Sequence, residues 1–204
     1  SQCLGFNERF YFVQDYEPYF YPRGSNYLLA ENSYQLGLSH ICAGTWLRQR
    51  MESNGKWARH FYLGLDDGYH IKETPKSDIP ILAVYARTKT ERRCVELVLG
   101  GLEVLAKRGR KVEVEFYGGA LPIDEAYAHR VTNRWILSKD ELCELYNRAT
   151  LGICFSGTNY SRVPIEMMAC GLPVVELDGE STRTAFPEGV VEFAGPTPTQ
   201  IADS

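Results

Sequence analysis

Three residues near the C-terminus, Ser161, Arg162 and Glu166, carry side chains that together could bind a phosphorylated diol. A hydroxyl and a guanidinium suit an anion such as phosphate, and a nearby carboxylate can accept hydrogen bonds from the hydroxyls of a ribose. Pro164 predicts the start of a short helix here, so Ser161 and Arg162 would also lie at its positive end. The same pattern fits an ordinary strand–helix–strand unit with Glu166 facing solvent, and both readings stay open on chemistry alone.

A second group of candidates follows an apolar run at residues 79–86, which predicts a buried parallel strand. Arg87, Arg92 and Arg93 lie on the loop and on the first turn of the helix predicted after it, over residues 91–107. Cations at a helix start oppose its macrodipole, so we expect an anion to compensate them. A solvated basic loop is the alternative.

The elements between these groups alternate between strand and helix patterns. A strand at 111–117 ends in Gly118-Gly119, where a ligand could approach the backbone, although a tight turn fits equally well. Ser138 and Glu141 form a capping box for a helix that runs to about residue 149. Strands at 151–155 and 172–177 enclose the polar loop 156–162 and the short helix that Gly171 ends. This order predicts an α/β fold, a Rossmann-like parallel sheet with helices on both faces, whose strand ends bring the candidates to one crevice.

The N-terminal part of the chain is rich in aromatic residues and has weaker patterns. We expect a strand at 9–14, a helix at 25–37, a strand at 39–43 and a helix at 45–51, with the aromatic side chains mostly in a core. A polar stretch with a proline at 72–78 reads as a linker. The sequence therefore predicts two portions, residues 1–72 and residues 79–204.

Pro164, Glu166 and Met168-Ala-Cys-Gly-Leu-Pro-Val-Val175 resemble the donor-site segment of retaining glycosyltransferases that use nucleotide sugars and have the two-domain GT-B fold, in the family numbered four. Tyr11-Phe-Val-Gln-Asp-Tyr-Glu-Pro18 and Gly44-Thr-Trp-Leu47 resemble a bacterial subgroup of rhamnan-synthesis and rhamnosyltransferase-like enzymes. The resemblance implies that residues 79–204 are a truncated C-terminal nucleotide-sugar-binding domain. Residues 1–72 would be the end of an N-terminal domain that is largely missing.

The resemblance also implies a role for each candidate. Arg87 and Arg92, with Arg93 as a neighbouring candidate, would be the catalytic cations on the donor diphosphate. Thr158 falls where the family carries an acid that holds the donor sugar, so this chain departs from the pattern there. Glu166 would bind the ribose, and Ser161, Arg162 and Val163 would contact the diphosphate. Gly118 and Gly119 would lie near the nucleoside. The backbone of Ile136 and Leu137 would contact the base.

The activity implied is transfer of a hexose or deoxyhexose from a nucleoside-diphosphate sugar to a glycan acceptor, with retention and without a cofactor. We expect no metal, since no Asp-x-Asp is present. Two alternatives stay open: a nucleotide-sugar epimerase of the same fold, and a non-catalytic nucleotide-sugar-binding domain, which Thr158 favours. Because catalysis in this fold uses the cleft between two domains, we expect the chain to be inactive alone.

Composition and missing motifs argue against several other classes of protein function. A net charge of −4 over 204 residues, without a dense basic run, argues against nucleic acid as a partner. No G-x-G-x-x-G or P-loop motif is present, which disfavours a dehydrogenase or a P-loop ATPase. Six scattered cysteines and no membrane-length apolar run favour a cytoplasmic protein, with the parent enzyme peripheral at a membrane.

Overall fold

The structure is a computed structural model that describes residues 8–121 and 130–204, so the first seven residues of the predicted N-terminal portion lie outside it. Two separate parallel sheets follow one another along the chain. The first sheet has three strands in sequence order, β1 (Phe10–Val13), β2 (Ser39–Ala43) and β3 (Ala58–Phe61).

The second sheet has six parallel strands: β4 (Ile81–Tyr85), β5 (Glu113–Tyr117), β6 (Arg130–Asn133), β7 (Leu151–Ile153), β8 (Val174–Leu177) and β9 (Glu192–Ala194). Their order across the sheet is β6-β5-β4-β7-β8-β9. β4 and β7 lie at its centre and carry the buried apolar residues that the sequence pattern predicts.

The helices of the described residues are α1 (Ser25–Ser33), α2 (Thr45–Ser53), α3 (Val95–Lys107), α4 (Lys139–Arg148), α5 (Val163–Ala169), α6 (Glu180–Ala185) and α7 (Pro198–Asp203). Helices cover both faces of the second sheet. Tyr146 of α4 and Met167 of α5 pack in a core on one face, and Leu102 of α3 and Ile201 of α7 pack in a second core on the other. This arrangement confirms the predicted α/β fold.

The helix predicted for residues 91–107 begins later than expected. A 3₁₀ turn, Glu91–Arg93, comes first, and Cys94 then adopts a left-handed conformation with φ of 48° before α3 starts at Val95. The carbonyl of Arg92 accepts a hydrogen bond from the N–H of Gly157 at 2.8 Å. Because that carbonyl pairs with a distant loop, Arg92 and Arg93 lie on a tight turn and not on the helix.

The weakly patterned elements differ most from the expectations. α1 is shorter than predicted and has no buried residue, with Leu28 and Leu29 exposed. Strands β3, β6 and β9 were not predicted, because Ala-Arg-His-Phe and Arg-Val-Thr-Asn lack the apolar character of a strand and Glu-Phe-Ala has only three residues. All three are outer strands of their sheets, where polar residues are tolerated.

The capping box that starts α4 gives a first testable prediction. The N–H of Glu141 donates to Ser138 Oγ, and the N–H of Ser138 donates to Glu141 Oε2 at 2.8 Å. Replacing Ser138 with alanine should lower the free energy of unfolding by about 1 kcal/mol, because a helix donor loses its partner. Urea unfolding measures this, with Ser53→Ala near the end of α2 as the control. An equal effect of both changes would contradict the prediction.

Candidate functional site

A cavity of about 530 Å³ opens where the central strands of the second sheet end. The chain leaves β4 at Tyr85 and β5 at Tyr117 beside it, while α4 and α5 form its other walls. We refer to it as the strand-end cavity. Seven of the ten predicted site residues line it: Arg87, Gly118, Leu137, Ser161, Arg162, Val163 and Glu166.

Glu166 is buried against this cavity, with 4% of its surface exposed, so it does not face solvent. Its Oε1 accepts a hydrogen bond from Arg162 Nε at 2.7 Å, one turn earlier. The Arg162 side chain is 56% exposed, so a ligand can reach this ion pair. α5 has only seven residues, and its dipole therefore contributes less to anion binding than the cationic side chains do.

Four tyrosines that the sequence analysis did not single out, Tyr69, Tyr85, Tyr117 and Tyr146, complete the wall of the cavity. Tyr69 stacks on Tyr146, and the hydroxyls of Tyr117 and Tyr146 lie 2.9 Å apart. Burial raises the pKa of Tyr69 to about 12 and raises the pKa values of Tyr117 and Tyr146 further. The phenols of Tyr69, Tyr117 and Tyr146 therefore stay neutral at physiological pH and offer rings and hydroxyls without charge.

A second cavity, of about 670 Å³, lies between the first sheet and the loop 156–162, and we call it the cleft. Ser161 and Arg162 line both cavities, so the two meet at these residues. Arg92 and Arg93 line the cleft and not the strand-end cavity. A ligand bound at Ser161 and Arg162 could therefore extend into either space.

Asp15 is the polar centre of the cleft, although the sequence analysis gave it no role. Its Oδ1 accepts hydrogen bonds from the backbone N–H groups of Tyr16 at 2.8 Å and Asn159 at 3.0 Å. Its Oδ2 accepts from the Thr158 hydroxyl at 2.9 Å and lies 3.5 Å from Arg92 Nε. The only signal in the sequence was an acidic residue directly after a predicted strand.

These contacts place the three remaining predicted residues outside the strand-end cavity. Thr158 is buried and bonds to Asp15. The Arg92 guanidinium lies between Asp15 and the ring of Phe20, 4.6 Å from the ring centre. Gly119 packs on the chain leaving β4, where an added Cβ would lie 3.2 Å from the carbonyl oxygen of Ala86.

Residues 158–161 of the loop 156–162 are buried, and the first sheet and the residues after it contact them. Asn159 Nδ2 donates to the carbonyl oxygens of Gln14 and Ala43, and the Tyr160 hydroxyl accepts from the N–H of Leu63. Gly44, with φ of 102°, lies so close to the Tyr160 ring that a Cβ there would be 2.7 Å away. The two sheets are therefore joined by directional polar contacts as well as by close packing.

The described residues contain no group of three or more His, Cys, Asp and Glu side chains placed to bind a metal ion. Within 8–121 and 130–204, no helix is both long enough and apolar enough to span a bilayer.

Comparison with known sequences gives two matches. The family described as "WsaF, C-terminal domain" matches residues 80–204. The chain is also 35% identical over 200 residues to the O-antigen biosynthesis protein RfbC of Myxococcus xanthus. That match covers 95% of this chain but 16% of RfbC.

Solved structures of low sequence identity share the fold. Sucrose-phosphate synthase from Thermosynechococcus elongatus is 18% identical with a TM-score of 0.68, and the match covers 89% of this chain and 51% of that one. Anabaena HepE, solved in complex with UDP and glucose, is 16% identical with a TM-score of 0.71. Here the match covers 96% of this chain and 60% of HepE. The chain spans little more than half the length of these two proteins.

Proposed function

Because the chain belongs to the family of the WsaF C-terminal domain, we propose that it carries the donor site of a glycosyltransferase acting in polysaccharide synthesis. The donor would be a nucleoside-diphosphate sugar, and the strand-end cavity would hold its nucleotide. The name of RfbC, an O-antigen biosynthesis protein, supports a surface polysaccharide as the product.

One observation carries the proposal: Arg87 and Glu166 line the same cavity, although they are 79 positions apart in the sequence. A guanidinium suits the diphosphate, and a buried carboxylate suits the ribose hydroxyls. The apolar side chains of Ile136, Leu137 and Leu142 offer a surface for the base. The UDP and glucose in the HepE structure support a nucleotide sugar as the ligand of this fold.

The chemical role of the site follows from where charge develops. As the bond between sugar and diphosphate breaks, negative charge grows on the phosphate oxygens of the leaving nucleotide. Arg87, with Ser161 and Arg162, is placed to stabilise that charge. The sugar would extend past Ser161 into the cleft, where a glycan hydroxyl would attack it. We propose a hexose or deoxyhexose as the transferred group, with retention at the anomeric carbon.

The proposal is tested by calorimetric titration of the chain with UDP, GDP, dTDP and inorganic pyrophosphate. One nucleotide should bind saturably, and Glu166→Ala should weaken its binding at least tenfold, since a charged hydrogen-bond partner of the ribose is lost. Pyrophosphate has no ribose, and the loss of Glu166 releases Arg162 from its ion pair, so pyrophosphate affinity should not fall in Glu166→Ala. Glu144→Ala, an exposed change on α4, is the matched control.

Two outcomes would contradict the proposal. A folded chain that binds none of the nucleotides lacks the donor site, and equal weakening of pyrophosphate and nucleotide would remove the ribose role of Glu166. Incubation with nucleotide sugars alone then tests the epimerase alternative. An epimerase releases an altered sugar without an acceptor, which neither a transferase nor a binding domain does.

A further inference from the structure

Glu176 is a buried acid that the proposed function leaves unexplained. It lies on β8 with none of its surface exposed. Its Oε1 accepts from the N–H of Leu177 at 2.8 Å, and its Oε2 accepts from the Ser156 hydroxyl at 3.1 Å. Across the described part of the chain, no cation lies within ion-pairing distance of it. Since burying an acid without a charged partner is unfavourable, packing alone gives no reason for it.

A chain of hydrogen bonds connects Glu176 to the two cavities. Arg93 Nη1 donates to Ser156 Oγ at 3.0 Å, and Ser156 in turn donates to Glu176. The Arg93 guanidinium lies 5.7 Å from the ring centre of Tyr85, which lines the strand-end cavity. Arg93 itself lines the cleft. This series of hydrogen bonds therefore runs from the core of the second sheet to the cleft, whose lining also includes Ser161 and Arg162.

We propose that Glu176 is a positioning residue for binding of the donor phosphates. It orients Ser156, and Ser156 in turn holds the Arg93 guanidinium toward those phosphates. A serine hydroxyl has a single hydrogen. When that hydrogen points to Glu176, the oxygen lone pairs remain free to accept from Arg93, and the long arginine side chain keeps one orientation. The inference rests on the proposed function, since the ligand is the diphosphate of the same donor.

The charge of Glu176 makes the role measurable. Burial raises its pKa to about 8. The titratable groups around it are Arg93 and Cys94 on the turn before α3 and Cys154 after β7, and its β9 partner is Phe193, which does not titrate. Burial raises the pKa of both thiols. As the pH rises through about 8, Glu176 loses its proton, and its carboxylate then offsets part of the Arg93 charge that the neutral acid leaves to the ligand.

Calorimetric titration with the preferred nucleoside diphosphate between pH 7.5 and pH 9.0 tests this. Wild type should lose about threefold more affinity over the range than Glu176→Gln, which keeps one of the two hydrogen-bond acceptors but cannot ionise. Any ionisation of the nucleotide affects both proteins equally. Ser156→Ala interrupts the hydrogen bonds between Glu176 and Arg93 without emptying the core, and it should weaken binding about fivefold at pH 7.5. Glu192→Gln on the neighbouring strand is the control.

Identical pH profiles of wild type and Glu176→Gln, or unchanged affinity in Ser156→Ala, would overturn the positioning role while leaving the donor site intact. Failure of wild type to bind any nucleotide overturns the proposed function instead. In that case carbon-13 NMR of the Glu176 carboxyl still decides whether Glu176 and Arg93 interact. The pKa of Glu176 should rise in Arg93→Gln, because a nearby positive charge is lost, and an unchanged pKa would show that the two groups do not interact.

Discussion

Replacing Arg87 with alanine should weaken nucleoside-diphosphate binding by at least 30-fold, the largest effect expected for any single side chain of the strand-end cavity. Arg87 lies two residues after the end of the central strand β4 and is exposed to the cavity. Among the described residues, no carboxylate lies within ion-pairing distance of it. Its charge is therefore available to the diphosphate, and a charge-assisted contact of this kind contributes about 2 kcal/mol.

Three variants make the measurement specific. Arg87→Lys keeps the charge but loses the planar fork, so calorimetry should give an intermediate affinity. Lys89→Ala removes an exposed cation from the same loop and should change affinity less than twofold. Arg92→Ala should also have a small effect on nucleotide binding, because that guanidinium contacts Asp15 and Phe20. Loss of binding in Arg92→Ala but not in Arg87→Ala would reverse this assignment.

Replacing Asp15 with alanine should lower the free energy of unfolding by about 3 kcal/mol. The change leaves two backbone N–H groups, the Thr158 hydroxyl and Arg92 without their shared acceptor, in a part of the cleft where water is largely excluded. Asp15→Asn retains one carbonyl acceptor and should lose about half as much.

Urea unfolding at neutral pH measures the change, and Asp67→Ala, an exposed aspartate, is the control. The loss should be accompanied by faster hydrogen exchange at the Asn159 N–H, which donates to Asp15. Unchanged exchange at that N–H would show that Asp15 does not hold the loop, even if stability fell.

The four inner strands of the second sheet, β5, β4, β7 and β8, were predictable because the sequence pattern that marks each of them is local. Buried strands such as β4 and β8 are short apolar runs, and the capping box and Gly171 mark helix ends that the structure confirms. The first sheet was less predictable because its residues pack against distant partners. Tyr34 falls within the helix predicted at 25–37, but it lies just beyond α1 and packs on Tyr16.

The candidate site divides in the same way. Residues within two positions of a strand end, such as Arg87 and Gly118, converge on one cavity because parallel strands end at one edge. Asp15 and Tyr69 come from other parts of the chain, and no local pattern marks them. The orientation of Arg92 could not be predicted either, since it depends on a 3₁₀ turn and on the hydrogen bond from Gly157. The roles of these residues stay predictions that the variants above test.

The strand order of the second sheet also determines which strand edges stay unpaired while the chain is being synthesised. β4 is made first and ends at the centre; β5 and β6 then extend the sheet on one side, and β7, β8 and β9 on the other. Each new strand thus meets an edge that already exists. The β7-facing edge of β4, however, stays unpaired until about 70 further residues have left the ribosome, which takes several seconds at ordinary translation rates. During that interval an apolar strand, Ile-Leu-Ala-Val-Tyr, presents a free edge, and this is where a nascent-chain chaperone would protect the protein from aggregation.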